Sequence, residues 1–159
     1  MEAKNPDITE QDMHFMELAA KIAEENIDRG GGPFGAVVVR NGEVVATGAN
    51  SVTLTNDPTA HAEVNAIREA CRKEGSFSLA GCRVYSSCEP CPMCLSALYW
   101  AGVDRIYYGN TQDDADAINF SDKFIYRELD KPKAERAIPC VCVKNAYTIK
   151  AFEKWAAKT

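Results

Sequence analysis

Two short runs hold the residues best able to do chemistry: His61-Ala62-Glu63 and, further along, Pro90-Cys91-Pro92-Met93-Cys94. One imidazole and two thiolates offer three ligands to a tetrahedral Zn²⁺ and leave its fourth position for water, as in a catalytic rather than a closed structural site. Zinc held this way lowers the pKa of water from about 15.7 toward about 7, so a nucleophile exists at neutral pH without a strong base. Glu63 is then free to move protons. A closed site would need a fourth ligand, and Cys88 is the obvious candidate, since Cys88, Cys91 and Cys94 form two overlapping Cys-x-x-Cys pairs. Pro90 argues against it, because it favours extended backbone at Glu89 and directs Cys88 away from the turn that carries the other two thiols.

These residues need elements to position them. A helix of about twenty residues is expected first, with Thr9 as N-cap, Asp12 three later, and Met16, Ala20, Ala23 and Ile27 on one face. It ends at Gly30-Gly31-Gly32-Pro33. Phe34 to Arg40, the turn pair Asn41-Gly42 and Glu43 to Asn50 read as a β-hairpin. Thr53 to Thr59 is a polar loop leading into a helix from about Ala60 to Lys73, which places His61 and Glu63 at a helix N-terminus. Arg83 to Ser86 reads as a buried strand and Pro92 to Ala101 as a short apolar helix. Cys91 and Cys94 open that helix. Its dipole stabilises both thiolates, and their spacing of three puts them on one face, so one metal can meet both. Arg105 to Tyr108 is a fourth strand, Asp113 to Ile118 a helix, Cys140 to Val143 a fifth strand, and Tyr147 to Ala157 a last helix. This order predicts an α/β domain with helices covering a five-stranded mixed sheet.

Composition narrows the function. At 159 residues one domain, 1–159, is expected, with room for a core and one buried site. A net charge of −5 and a pI near 5.1 disfavour a protein whose main task is gripping a phosphate backbone. A free base or nucleoside is the easier ligand. No window approaches a membrane span, and the polar start Met1-Glu2-Ala3-Lys4-Asn5 lacks the apolar stretch of a signal peptide, so a cytoplasmic location is expected. The seven cysteines are odd in number, and reduced thiols are expected. Cys71, Cys82, Cys140 and Cys142 sit among apolar residues and read as small hydrophobes. His14 stands without ligand-spaced neighbours, and Asp113-Asp114-Ala115-Asp116 reads as a solvated helix start. Tyr99 and Trp100 read by default as core aromatics, although a flat base needs an aromatic clamp that Trp100 could supply.

His-x-Glu with Pro-Cys-x-x-Cys is the motif pair of the zinc nucleobase deaminases. Nearly the whole chain resembles the cytidine-deaminase superfamily and, within it, the branch of bacterial guanine deaminases. The resemblance is carried by Gly31-Gly32-Pro33-Phe34-Gly35-Ala36-Val37, Asn56-Asp57-Pro58-Thr59-Ala60-His61-Ala62-Glu63, Ser87-Cys88-Glu89-Pro90-Cys91-Pro92-Met93-Cys94 and Phe120-Ser121-Asp122-Lys123-Phe124-Ile125-Tyr126. The first and last of these discriminate the branch, while the ligand runs identify only the chemistry. The resemblance implies a three-layer α/β/α cytidine-deaminase-like fold and one Zn²⁺ per chain on His61, Cys91 and Cys94. It implies Glu63 as proton shuttle, Asn50 and Asp122 as polar contacts to the purine, and Phe34 packed beside it. The implied reaction is hydrolysis of guanine to xanthine and ammonia. It also implies a homodimer in which a C-terminal segment, about 145–159, crosses over to cap the partner's pocket. Here the pattern departs. The chain ends Trp155-Ala156-Ala157-Lys158-Thr159, without the terminal tyrosine of that branch, and Asn119-Phe120-Ser121-Asp122 replaces a Gly-Phe-Asp-Asp run. Two readings of Trp155 follow: a share in the capping role, or an amphipathic last helix with Ile149, Phe152 and Trp155 inward.

The nearest alternatives are deaminases of guanosine, cytosine or the wobble adenosine of tRNA. A tRNA enzyme would be expected to show a basic face, whereas Lys150, Lys154 and Lys158 alternate here with Glu153 and two aromatics. From another class, a non-catalytic zinc-binding module would retain the ligands without needing Glu63.

Overall fold

Ala36, Val37, Val38 and Val39 are all buried, so both faces of this segment must be covered and it must run through the middle of a sheet. In the computed structural model, which describes residues 7–158, it does. Strand β1 (Gly35–Arg40) lies between β2 (Glu43–Ala49) and β3 (Cys82–Cys88), antiparallel to both, and β4 (Arg105–Asn110) runs parallel to β3. Alternate residues of β1 face opposite ways. Ala36 and Val38 join Ala46 and Val84 in a core against Ala62, Ala66 and Ala70 of α3 (Ala62–Glu74) and Leu98 of α4 (Pro92–Ala101). Val37 and Val39 join Tyr85 in a second core against Phe15 and Ala19 of α1 (Glu10–Asp28). The result is the expected three-layer α/β/α arrangement.

Local chemistry explains most boundaries. Thr9 caps α1 in a reciprocal capping box with Asp12. Asn41 and Gly42 both take positive φ at the hairpin turn, as a tight two-residue turn demands. Gly48 of β2 sits under α3, where a Cβ would lie 2.3 Å from the Ala62 carbonyl oxygen. The absence of a side chain there lets the N-terminus of α3 seat directly on the sheet. A short helix α2 (Val52–Thr55) occupies part of the expected loop, and α5 (Gln112–Ala117) opens with a second capping box, Thr111 with Asp114.

Met1–Lys123 and Phe124–Thr159 form two compact units. The second contains most of α6 (Lys123–Asp130), a 3₁₀ turn (Lys133–Glu135) and α7 (Thr148–Ala156), and none of its described residues is buried.

Four expectations are corrected. The sheet has four strands, not five: Cys140 to Val143 forms no ladder, and Val141 and Val143 are both exposed, so β-branched residues extend the chain there without a paired neighbour to make a strand. Cys140 and Cys142 are exposed rather than packed as hydrophobes, whereas Cys82 is buried and Cys71 half-buried. The inward face of α1 is Asp12, Phe15, Ala19, Ala23 and Asn26; of the expected residues Ala23 is buried and Met16 packs half-buried against the second core, while Ala20 and Ile27 are exposed. Two of the inward positions are polar, which rotated the face read from apolar periodicity. Ile149, Phe152 and Trp155 of α7 are exposed, not inward. Met1–Asn5, the run that lacks signal-peptide character, lies outside the described residues.

Candidate metal centre

Two helix N-termini supply the ligand-bearing residues. His61 is the N-cap of α3 and Cys91 the N-cap of α4, both in extended backbone, and neither side chain is spent on capping its own helix. Cys94 lies in the first turn of α4, buried, with Pro92 between the two thiols at the start of the helix. The His61 Nδ1 atom is 3.5 Å from Cys91 Sγ and 3.5 Å from Cys94 Sγ. A tetrahedral zinc about 2.3 Å from sulfur and about 2.05 Å from nitrogen puts each N···S edge at about 3.5 Å. Both N···S edges of the donor set therefore fit that ion. His61, Cys91 and Cys94 are the group whose ligand atoms all lie within 4.8 Å of one another among the described residues. Cys88 is not in it: its Sγ lies 3.9 Å from the Thr111 carbonyl oxygen.

Electrostatics agree with the geometry. Hydrogen bonds from Cys94 and His61 hold the Cys91 thiol down at about 4 against the opposing effect of burial. Sharing a proton with Cys91 pushes the Cys94 thiol up, with burial and the nearby Glu63 carboxylate acting the same way. His61 is pushed up chiefly by its bond to Cys91. A cation held by this cluster would displace the thiol protons. Burial pushes Cys88 up to about 11, consistent with a neutral packing thiol.

Glu63, in the first turn of α3, is 6 % exposed, and burial raises its carboxyl above the ordinary range. It is hydrogen-bonded by Cys94 and by Ser86, fully buried on β3, whose hydroxyl oxygen lies 3.1 Å from Glu63 Oε1 and 2.7 Å from the Cys88 carbonyl oxygen and whose one hydrogen serves either acceptor. That hydroxyl serves both charge states. It donates to the carboxylate, or it donates to Cys88 and accepts from the acid. Ser86 was missed in the sequence; the available signal was a pair of polar residues, Ser86-Ser87, inside an otherwise buried strand.

Asp122 lies within electrostatic reach of His61, Cys91 and Glu89, and burial is the main reason its carboxyl is raised. Its Oδ1 is buried without a hydrogen-bond partner among the described residues. An acceptor left unpaired costs about 1–3 kcal/mol unless a ligand supplies a donor. Asn50, at the end of β2, is buried. Phe34 packs edge-on against Phe120 with ring centroids 5.2 Å apart. Trp100 is placed elsewhere: it is 89 % exposed in a shallow hollow with Leu95, Ser96 and Tyr99. Six residues beyond Cys94, it stands about 9 Å along α4 and about 120° around it from the buried thiol, so it is neither a core aromatic nor gathered with the ligands.

Comparison with known proteins gives the same picture. The profile of the cytidine and deoxycytidylate deaminase zinc-binding region matches residues 9–110. Guanine deaminase of Bacillus subtilis (strain 168) is 49 % identical over 142 residues, which cover 89 % of this chain and 91 % of that protein. The crystal structure of guanine deaminase from Bacillus subtilis aligns with a TM-score of 0.90 at 46 % identity, over 94 % of this chain and 95 % of that one. A tRNA-specific adenosine deaminase of Agrobacterium fabrum is 40 % identical over 111 residues, 70 % of this chain and 73 % of the relative. The profile match takes in all three candidate ligands, Glu63 and the whole sheet, and on that extent of likeness the chain belongs to the cytidine and deoxycytidylate deaminase family.

Proposed function

We propose that this chain hydrolyses guanine to xanthine and ammonia. The observation that carries the reading is the buried, unpaired Oδ1 of Asp122 beside the ligand cluster, in a chain similar over nearly its full length to a guanine deaminase. A carboxylate there accepts from a base edge rich in N–H groups, which guanine has and adenine has less of. His61, Cys91 and Cys94 would hold zinc, which supplies Lewis acidity that makes water nucleophilic at neutral pH. Glu63 would take one proton from the attacking water and deliver it to a ring nitrogen, then take the second from the hydroxyl added at the ring carbon and deliver it to the amine, so that ammonia leaves and a carbonyl remains. Its burial favours the protonated form and so the acid half of the cycle. Asn50 and Asp122 orient the purine, and Phe34 with Phe120 forms an apolar wall. Trp100 has no part in this site, given its exposure.

The same reading extends to assembly and location. Ile138, Val141, Val143, Tyr147, Phe152 and Trp155 are exposed in a unit without a buried core, which supports a homodimer formed by exchange of about 145–159. All seven cysteines are free, which supports a cytoplasmic enzyme working as one catalytic domain. No helix among the described residues is long and apolar enough to cross a membrane.

The test is turnover of guanine, guanosine, adenine, cytosine, cytidine and a wobble-adenosine tRNA by zinc-loaded protein, with ammonia release and product identity as readouts. Xanthine from guanine alone supports the proposal, and Asp122→Ala should then weaken guanine turnover. Turnover of guanosine or the tRNA instead overturns the substrate. Silence on the whole panel with one zinc per chain points to a non-catalytic module.

A further inference from the structure

Asn50 and its chain neighbours Ala49 and Ser51 are held by side-chain amides that arrive from opposite layers of the fold. Asn26, near the end of α1, is 3 % exposed, and its Nδ2 donates to the Gly32 carbonyl at 2.8 Å and to the Asn50 carbonyl at 2.8 Å. Both of its amide hydrogens are thereby used. Its own backbone carbonyl accepts from the N–H of Arg29 at 3.2 Å and of Gly31 at 3.0 Å. One residue therefore ties the glycine-rich loop to the end of β2. From the other layer, Asn65 of α3 donates to the Ala49 carbonyl at 2.8 Å and the Ser51 hydroxyl at 3.0 Å.

The loop and Asn50 are bound to each other as well. The Asn50 N–H donates to the Phe34 carbonyl at 3.2 Å, and Asn50 Oδ1 accepts from the Val52 N–H at 3.2 Å. Among the described residues its Nδ2 has no partner, which leaves that donor for a ligand. A Cβ on Gly31 would lie 2.3 Å from Asn26 Nδ2 and 2.5 Å from the Asn50 carbonyl oxygen, so loop, amide and Asn50 are packed as one block. A primary amide buried on the inward stripe of a helix is unfavourable unless its hydrogen bonds are satisfied. Here the satisfied bonds all go to the chain that carries Phe34 and Asn50.

We infer that Asn26 is a positioning residue for substrate binding: by tying the glycine-rich loop to the end of β2 it fixes Asn50 in the arrangement that receives the purine, without touching the purine itself. This rests on the proposed role of Asn50 as a purine contact. Removing the amide takes the donor from the Asn50 carbonyl and one of two donors from the Gly32 carbonyl, which keeps the Phe34 N–H, and lets Asn50 leave that arrangement. The binding-competent fraction falls and KM rises by the same factor, while Glu63 and the ligand cluster are untouched.

The experiment is a double-mutant cycle on zinc-loaded enzyme with guanine, using Asn26→Ala, Asn50→Ala and the pair. The expected result for Asn26→Ala is a KM raised about tenfold with kcat within about threefold of the parent and one zinc per chain retained. In the Asn50→Ala background the same substitution should no longer move KM, because the two act through one contact. A merely structural role predicts the opposite pattern, with zinc content and apparent kcat falling, KM unchanged, and effects that multiply in the pair; that result overturns the inference. If Asn50→Ala alone leaves KM unchanged, the purine-contact reading fails first and the inference falls with it. Should Asn26→Ala not fold, Asn26→Ser keeps one donor and carries the test: KM about threefold up, and only when Asn50 is present, supports the inference, whereas an unchanged KM overturns it.

Discussion

Met1–Lys123 and Phe124–Thr159 treat their apolar residues in opposite ways. In the first, helices from two sides bury alternate residues of β1, and both a polar site and its supporting amides are built on that frame. In the second, α6 and α7 form with no buried residue, and Phe124, Leu129, Phe152 and Trp155 face solvent. A helix can form from local preferences, but a core requires a second surface, and only the first unit supplies its own. The chemistry is accordingly placed by the first unit, while the second buries none of its described residues.

Glu63→Gln offers the largest effect that would separate the two. It should lower kcat by about 10²–10⁴-fold with zinc retained, read as ammonia release beside metal analysis. Loss of zinc in proportion to activity would make Glu63 part of the metal site and break the division of roles. Deletion of 145–159 addresses the other side. It should convert the proposed dimer to a monomer by light scattering while moving the thermal midpoint by no more than about 2 °C, since no described residue of that segment is buried. A fall of about 10 °C would show that the segment completes the first unit's core.

A smaller effect concerns the inward face of α1. Asp12 is buried and accepts from the Tyr85 hydroxyl at 2.5 Å and the Thr9 N–H at 3.0 Å. Burial acts to raise its carboxyl, but the bonds from Tyr85 and Thr9 outweigh it and hold the carboxyl below the ordinary 3.8. A depressed folded value stabilises the protein above the unfolded pKa and loses that contribution as pH falls through the folded one. Asp12→Asn should therefore be less stable by about 2 kcal/mol at pH 7, and the difference should shrink as pH drops below 3.8. Denaturant titrations at pH 7 and pH 3 check this, and an equal difference at both would sink it.

The elements that could be read along the chain were those with local signals. Thr9 with Asp12, Asn41-Gly42, Gly75 and Pro92 mark boundaries that the structure keeps within a residue or two. Helix α6 was missed: it is only eight residues long, and its apolar residues Phe124, Ile125 and Leu129 are left exposed. The extra strand at Cys140 to Val143 came from composition alone, and composition does not provide the neighbour a strand pairs with. The polar supports were the hardest to see: Asn26, Asn65 and Ser86 bond to residues distant in sequence.

By itself the sequence determined the chemistry, since one imidazole, two thiolates and a carboxylate at these spacings favour an open zinc site served by a proton carrier. It also determined which helix ends carry them, because caps and turns are local. Tertiary structure alone decided that two helix N-termini converge until His61 Nδ1 is 3.5 Å from both thiols, that Asp122 Oδ1 is buried without a donor, and that Trp100 stands outside the site. Those outcomes depend on which face of each element finds a partner, and that is set by packing between residues far apart in the chain.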